Sequence, residues 1–410
     1  MSNRNGVWSL SAHLQAIGDT NWLMPPGVPT SVSATAGNTQ ATVTFTAPTF
    51  AGVPGTITGF KVTSSEGETA TGSSSPITVT GLTNGTAHTF TVQAQNSTGF
   101  SGASAASGSV TPALPERAFY MGGVLSVSPD YSDEIDVFTI TSTGNASDWG
   151  NLTSGQDFSS GCGNTTRGIN FVGRTNGSTT NSIDYFSTAS SGNASDFGDD
   201  TVTANDFGSL SNDTRGIAAG GSGDIDNIRY ITIGSTGNAT DFGDLAQARL
   251  AFKGGSASST RGVFGGGFNS GSSALYNLTV IDYITIGSTG NASSFGDLTV
   301  GRNGVGSSSS STRGLFFGGS STNVIDYITI ASTGNATDFG DLPNTNQSLG
   351  AAAAGTTRCL YGGTTNNAGN VAYVTIASTG NASDFGDLQL TGGTSFKRAC
   401  GACSNAHGGL

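Results

Sequence analysis

From about residue 30 to residue 112 the chain alternates apolar and polar residues in short runs. "SVSATA", "ATVTFTA", "ITGFKVTS", "PITVTGL", "AHTFTVQAQN" and "GSVTPA" change character at every second residue, and Gly, Asn and Pro separate them. That period is the mark of half-buried strands. Seven or so such strands predict a β-sandwich. Beyond residue 114 the pattern becomes a repeat. The phrase "STGNATDFGDL" begins at Ser235, and close copies begin at Ser142, Ser190, Ser288, Ser332 and Ser378. Its aromatic falls at Trp149, Phe197, Phe242, Phe295, Phe339 and Phe385, at intervals of 48, 45, 53, 44 and 46 residues. Three further strand-like pieces accompany each copy: a run of small residues, a piece such as "TRGLFFGG" (from Thr312), and one such as "NVIDYITI" (from Asn323). No piece has a helical period. Four strands recurring at this spacing predict blades, which bury their faces only against neighbours, and hence a six-bladed β-propeller.

The small-residue strands are expected to begin near Asp157, Ala204, Arg249, Asn303 and Leu349. The first unit starts at "ERAFYMGG" without one, and the chain's end offers a spare in "SFKRACGACSNAHGGL". Residues 396–404 are therefore expected to complete the first blade and close the ring, since open ends would leave unpaired strand edges. The all-β chain then divides into an N-terminal docking segment (1–24), a sandwich (25–113, opened by Pro25, Pro26 and Pro29) and the propeller (114–410). In the first segment Trp8 and Trp22 flank "LSAHLQAI", where Ser11 can cap a helical turn or two. Two readings stay open: these aromatics dock on another protein, or they pack on the next domain.

Composition narrows the function. The 410 residues carry a net charge of −12 with only 15 Lys and Arg, which argues against nucleic acid as a partner. No run of apolar residues is long enough for a membrane span. The N-terminus lacks a charged start and apolar core, so synthesis in the cytoplasm without a signal peptide is expected. Of the four cysteines, Cys162, Cys359, Cys400 and Cys403, the last two form "CGAC". With no second pair nearby they read as small buried thiols.

The repeated phrase contains N-A-[ST] at Asn145, Asn193, Asn238, Asn291, Asn335 and Asn381. Without secretion these are turns rather than glycosylation sites, because Gly-Asn takes positive φ at low cost. The pairs Asp241/Asp244, Asp338/Asp341 and Asp384/Asp387 resemble acid–base or calcium sites, but they recur unit after unit, as scaffold does. Arg117, Arg167, Arg215, Arg261, Arg313 and Arg358 also recur, as do Asp226, Asp282 and Asp326, and an Arg and an Asp at such fixed positions could pair, which would set register more than add strength. His13, His88 and His407 lie in three separate regions and cannot share a metal. No nucleophile–base set or phosphate loop assembles. The expectation is a non-enzyme with no metal and no cofactor. The longest insertion, "FNSGSSALYNLTV" from Phe268, holds Tyr276 and is the best contact loop for a sugar or protein, unless it is ornamental.

Three resemblances add to this. Pro29, Phe45, "ITGFKV" and "GLTNGTAHTFTVQAQNSTGFSGAS" make the sandwich similar to fibronectin type III domains, with His88 where that family usually has its corner tyrosine. The resemblance implies a spacer or adhesive module. The glycine pairs (Gly122–Gly123, Gly220–Gly221, Gly266–Gly267, Gly318–Gly319, Gly362–Gly363) and the following Tyr185, Tyr230, Tyr283, Tyr327 and Tyr373, with Phe138 in the first unit, resemble kelch repeats. "IDYITIASTGNATDFGDL", "STRGVFGGG" and the opening "NRNGVW" resemble virion proteins of tailed cyanobacterial phages. That implies a phage tail fibre, adhesin or capsid decoration on the virion surface. Its partners would be other virion proteins, through Trp8 and Trp22, and a host surface glycan or protein. The alternatives are a non-viral adhesive or scaffolding protein, or a glycan-processing enzyme with a site in a blade loop.

Overall fold

The computed structural model describes residues 23–410 apart from 54, 127–130, 251, 272–276, 321, 346–348, 366–368 and 391–395. The chain falls into two compact units, Met1–Pro115 and Glu116–Leu410.

The first unit has strands β1 (Thr30–Gly37), β2 (Gln40–Thr46), β3 (Gly59–Ser64), β4 (Thr69–Gly72), β5 (Ile77–Thr80), β6 (Phe90–Asn96) and β7 (Gly99–Phe100). They form two antiparallel sheets, β1-β2-β5 and β4-β3-β6-β7. Alternation puts Val43, Phe60, Val62, Val79, Phe90 and Val92 into one core. The strand expected from "GSVTPA" is reduced to a single bridge between Val110 and His88. Ahead of it, sequence reading missed a serine ladder. Ser101, Ser104 and Ser107 each donate their N–H to a β6 carbonyl, of Ala94, Val92 and Phe90. Each hydroxyl accepts the N–H of the same β6 residue at 2.9–3.0 Å. The hydroxyl takes the place of a backbone acceptor, so the period is three rather than two. His88 is buried, and its Nε2 faces the carbonyl of Thr83 at 3.4 Å. It reaches upstream as a corner tyrosine does.

Beside two small sheets of three and two strands, the second unit holds six sheets that share one antiparallel order of four strands, inner, second, third and outer; the fifth of them carries a further strand, Phe252–Gly254, beside its inner strand. In the second sheet these strands are Ser160–Gly163, Arg167–Phe171, Ser182–Ser187 and Ser195–Asp199. The small-residue strands thus start a few residues later than expected. The first sheet takes its inner strand from the chain's end, as expected: Gly401–Ser404 pairs with Arg117–Met121, from Gly401↔Met121 to Ser404↔Ala118. Six apolar clusters each combine residues of two consecutive sheets, and one joins the sixth to the first through Phe385, Phe138, Leu360 and Ala402.

The repeated phrase is consumed in bonds between sheets. Its Gly and Ala N–H groups donate to the preceding outer strand at 2.7–2.9 Å, as Gly192 to Trp149 and Ala194 to Asn151. In return its Asn Oδ1 accepts an N–H from that strand at 3.0–3.1 Å in all six units. The first unit's Gly144 and Ala146 bond the sixth's Phe385 and Asp387. The second glycine of the phrase is steric. At Gly150 φ is +149°, and a Cβ there would run into the carbonyl of Gly192. The Gly150→Ala variant is expected to lose about 1–3 kcal/mol, because the obstacle is backbone that cannot step aside. Thermal melting checks this, and an unchanged midpoint would mean that the turn yields freely.

Candidate functional site

In a repeat protein the features that break the repeat are the candidates for function. Those that keep it come first, because they set the background. The six recurrent arginines do not pair with aspartates, contrary to expectation. Each guanidinium lies 4.5–4.8 Å from an aromatic ring centroid of its own unit. Each Nη1 donates to a carbonyl of the next unit, such as Arg167 to Ile233 at 2.9 Å, and Arg358 returns to Ile140 at 3.4 Å. The planar guanidinium suits both tasks at once. In the first unit register places Val137, not Phe138, where the others have Tyr. Arg117 stacks there on Trp149 instead.

The aspartates of the third strands pair with side chains from the segment that leads into each inner strand. Lys397 reaches Asp136 at 2.9 Å, Arg249 reaches Asp282 at 2.7 Å and Arg302 reaches Asp326 at 3.0 Å, all buried. In the second unit an amide substitutes: Gln156 donates to Asp184 at 2.6 Å. In the third unit the charges are exchanged, and the equivalent position is Arg229, not Asp226. Its Nε bonds Asp200 at 2.9 Å. In the third unit both partners change sign together, whereas Asp184 of the second keeps its place opposite the neutral Gln156. A charge buried without its partner costs several kcal/mol, which explains the joint change.

The inner strands meet at the centre, where neighbours contact one another in turn and the last contacts the first. Serine hydroxyls bridge several of them. Ser160 meets Ser209 at 2.7 Å, and Ser309 donates to the Ala257 carbonyl at 2.9 Å. The chain enters each inner strand through one residue of positive φ: Phe158, Asp206, Gly254, Gly304, Leu349 and Ala399, between +51° and +76°. Strain of this kind often marks a functional site. Here it recurs six times and belongs to the turn.

Two segments break the pattern, and both fill the centre. The fourth unit's lead-in is longer, and its Phe252–Gly254 runs parallel to Val305–Ser307. From there Lys253 Nζ donates to the Ser159 carbonyl at 3.1 Å and lies 3.8 Å from Asp206. Burial pushes the Lys253 ammonium below its usual range, against the opposing pull of Asp206 and Asp157. Arg174 pairs with Asp157 beside it and stacks on Phe158. At the opposite ends of the inner strands the C-terminal residues cross over. His407 Nε2 donates to the Gly163 carbonyl at 2.8 Å, and Gly408 N–H donates to Ser309 at 2.8 Å. His407 Nδ1 accepts the Gly409 N–H, a neutral tautomer, and burial holds the imidazole below its usual pKa. The void left among Ser209, Ser211, Ser307, Ser309 and Cys403 is about 30 Å³. That is the room of one water, not of a substrate. A wider hollow of about 270 Å³ lies around the tail, among Thr165, Ser310, Thr356 and Leu410.

All four cysteines are free and buried. Burial pushes the Cys400 thiol up to about 11 and Cys162 up to about 12, so neither is a nucleophile at neutral pH. Among the described residues no three His, Cys, Asp or Glu side chains converge as metal ligands. Phe268 is half-buried and bridges Leu250, which ties the start of its insertion to the neighbouring lead-in. Tyr276, Trp8 and Trp22 lie outside the described residues. Sequence reading missed Arg249, Arg302, Lys253 and Lys397. The signal for Arg249 and Arg302 was a basic residue four positions beyond the "FGDL" of the preceding phrase; Lys253 and Lys397 lie eight and nine positions beyond it.

No curated protein matches the chain. The described model of the Fibronectin type III domain matches residues 27–109, the span of the two-sheet sandwich, and the chain therefore carries a fibronectin type III domain there.

Proposed function

We propose that residues 114–410 form a divergent kelch-like propeller of six blades, closed by the C-terminal strand. We read the whole chain as a non-enzymatic structural protein, displayed on the surface of a tailed-phage particle and attached through residues 1–24. The fibronectin type III domain suits an adhesive or structural role in general. The observation that carries the reading is where the repeated residues are spent. The Asn, Gly and Ala of the phrase, the six arginines and the paired aspartates all bond one sheet to another or hold a lead-in segment in place. The centre is filled from both ends. Such a body is built to persist rather than to turn over a substrate.

The outer surface supports display. Residues 114–410 carry 13 basic and 24 acidic side chains, a net −11, which keeps the body solvated and repels acidic surfaces. Mass spectrometry of particles from the producing system tests the assignment. A tagged chain lacking residues 1–24 is expected to fold yet fail to join them. Normal incorporation, or a particle without the protein, would overturn the reading. Release of sugar from host polysaccharide would favour the enzymatic alternative.

A further inference from the structure

The net charge of −11 on residues 114–410 is unevenly placed. One end of the six sheets, where second strands begin and third strands finish, holds all six recurrent arginines. Register sets each opposite the last residue of a third strand, from Arg117↔Thr139 to Arg358↔Thr375. The turns at this end join inner to second strands and third to outer strands, and Asp213 is their one acidic residue. Glu116 precedes Arg117, and its carboxylate accepts the N–H and the hydroxyl of Thr356. Six arginines against these two carboxylates leave a net +4. At the opposite end Asp199, Asp244, Asp297, Asp341 and Asp387 close the outer strands.

The arginines keep donors free. Each uses Nη1 on a carbonyl of the next unit, and Nε and Nη2 have no partner among the described residues. None of these atoms is buried, so water reaches them. Nε and Nη2 form one edge of the guanidinium, the edge that grips a carboxylate with two parallel N–H bonds. Around them stand the exposed Ser, Thr, Gly and Asn of the repeated phrase. Among the described residues of this unit the exposed large apolar side chains are Val300 and Leu390, and both follow outer strands at the other end.

We propose that the arginine end of the ring is a docking surface for an acidic polysaccharide, one that carries carboxylates on repeating sugars. Such a polymer repeats its charge as the ring repeats its arginines, so contacts that are weak singly act together. A protein partner would need an apolar anchor, which this end does not expose. Single-stranded nucleic acid would need open ring faces for its bases, and the tyrosines here lie under the guanidiniums. The inference gives the displayed body proposed above a partner, and rests on that reading for the polymer's source.

The full chain provides the test. On immobilised polygalacturonate at low ionic strength it is expected to be retained, to elute as salt rises, and to pass over dextran unretained. Thr165→Asp, Ser259→Asp and Ser311→Asp together give three turns the residue that Asp213 supplies in the third unit. All three side chains are exposed, so the melting curve is expected to stay in place while affinity falls about tenfold. Asp213→Asn, with the opposite change of charge, is expected to tighten binding. No retention, equal retention on dextran, or unchanged affinity in these variants would overturn the inference. Tighter binding to duplex DNA or to polyglutamate would also overturn it, and would assign the surface to nucleic acid or to an acidic protein. Particle incorporation is read separately: a chain that joins particles but ignores polygalacturonate sinks this inference and leaves the display reading standing.

Discussion

Removal of residues 396–410 is expected to abolish the folding transition of the six-sheet unit, or to lower its midpoint by tens of degrees, while the sandwich still melts on its own. Three losses coincide. The first sheet loses its inner strand, which exposes the edge from Ala118 to Met121. The cluster between the sixth and first sheets loses Cys400 and Ala402. Asp136 loses Lys397 and remains as a buried carboxylate with no cation. The last term alone costs about 3–5 kcal/mol, a large part of the about 5–15 kcal/mol by which domains are stable. Calorimetry on the truncated chain reads the loss. A synthetic peptide of residues 396–410 is expected to restore part of it, because the missing strand carries its own ion-pair partner. A truncated chain with an unchanged melt would show that the end is an accessory.

Much of this architecture was legible because the chain repeats itself. The phrase beginning at Ser235 fixed the number of units, and the missing strand before "ERAFYMGG" pointed to the C-terminus as its source. The fibronectin type III domain was readable from alternation, since half-buried strands write their faces directly into sequence. Less legible was whatever depends on which side chain meets which. The arginines of the "RG" strands and the aspartates of "ID" recur together, so pairing them was the simplest inference. Geometry separates them: the arginines lie over Tyr rings, and the aspartates face the lead-in segments. Register also moved the first unit's aromatic from Phe138 to Val137, with Trp149 supplying the lost ring. The filling of the centre was invisible. A three-residue lengthening before Gly254 and a tail reading "HGGL" carry no motif, and only their contacts give them meaning.

The exchanged pair in the third unit predicts that the buried charges are portable between units. Asp326→Arg alone is expected to cost about 3–5 kcal/mol or more, because it sets a second guanidinium against Arg302 in a fully buried site. Thr299, whose N–H and hydroxyl both donate to Asp326, loses its acceptor as well. The third unit shows how the reversed arrangement is satisfied. Arg229 bonds Asp200 through Nε and the Gly220 carbonyl through Nη1 at 2.7 Å, and Ala204 stands where an arginine would clash. In the fifth unit Gly318 occupies the place of Gly220, for both donate their N–H to the start of the third strand. Leu298 and Arg302 occupy the places of Asp200 and Ala204. The triple variant Leu298→Asp, Arg302→Ala, Asp326→Arg therefore rebuilds the reversed pair, and is expected to recover more than half of the loss. Recovery stays incomplete because Phe207, 4.9 Å from the Arg229 guanidinium, has Val305 as its counterpart. Leu298→Asp by itself must destabilise, since it buries a lone carboxylate among Phe295, Val305 and Phe316. Urea titrations of the three variants read these energies directly. A triple variant no more stable than Asp326→Arg alone would mean that the pairs are fixed to their own units, and that their joint change along the chain has another cause.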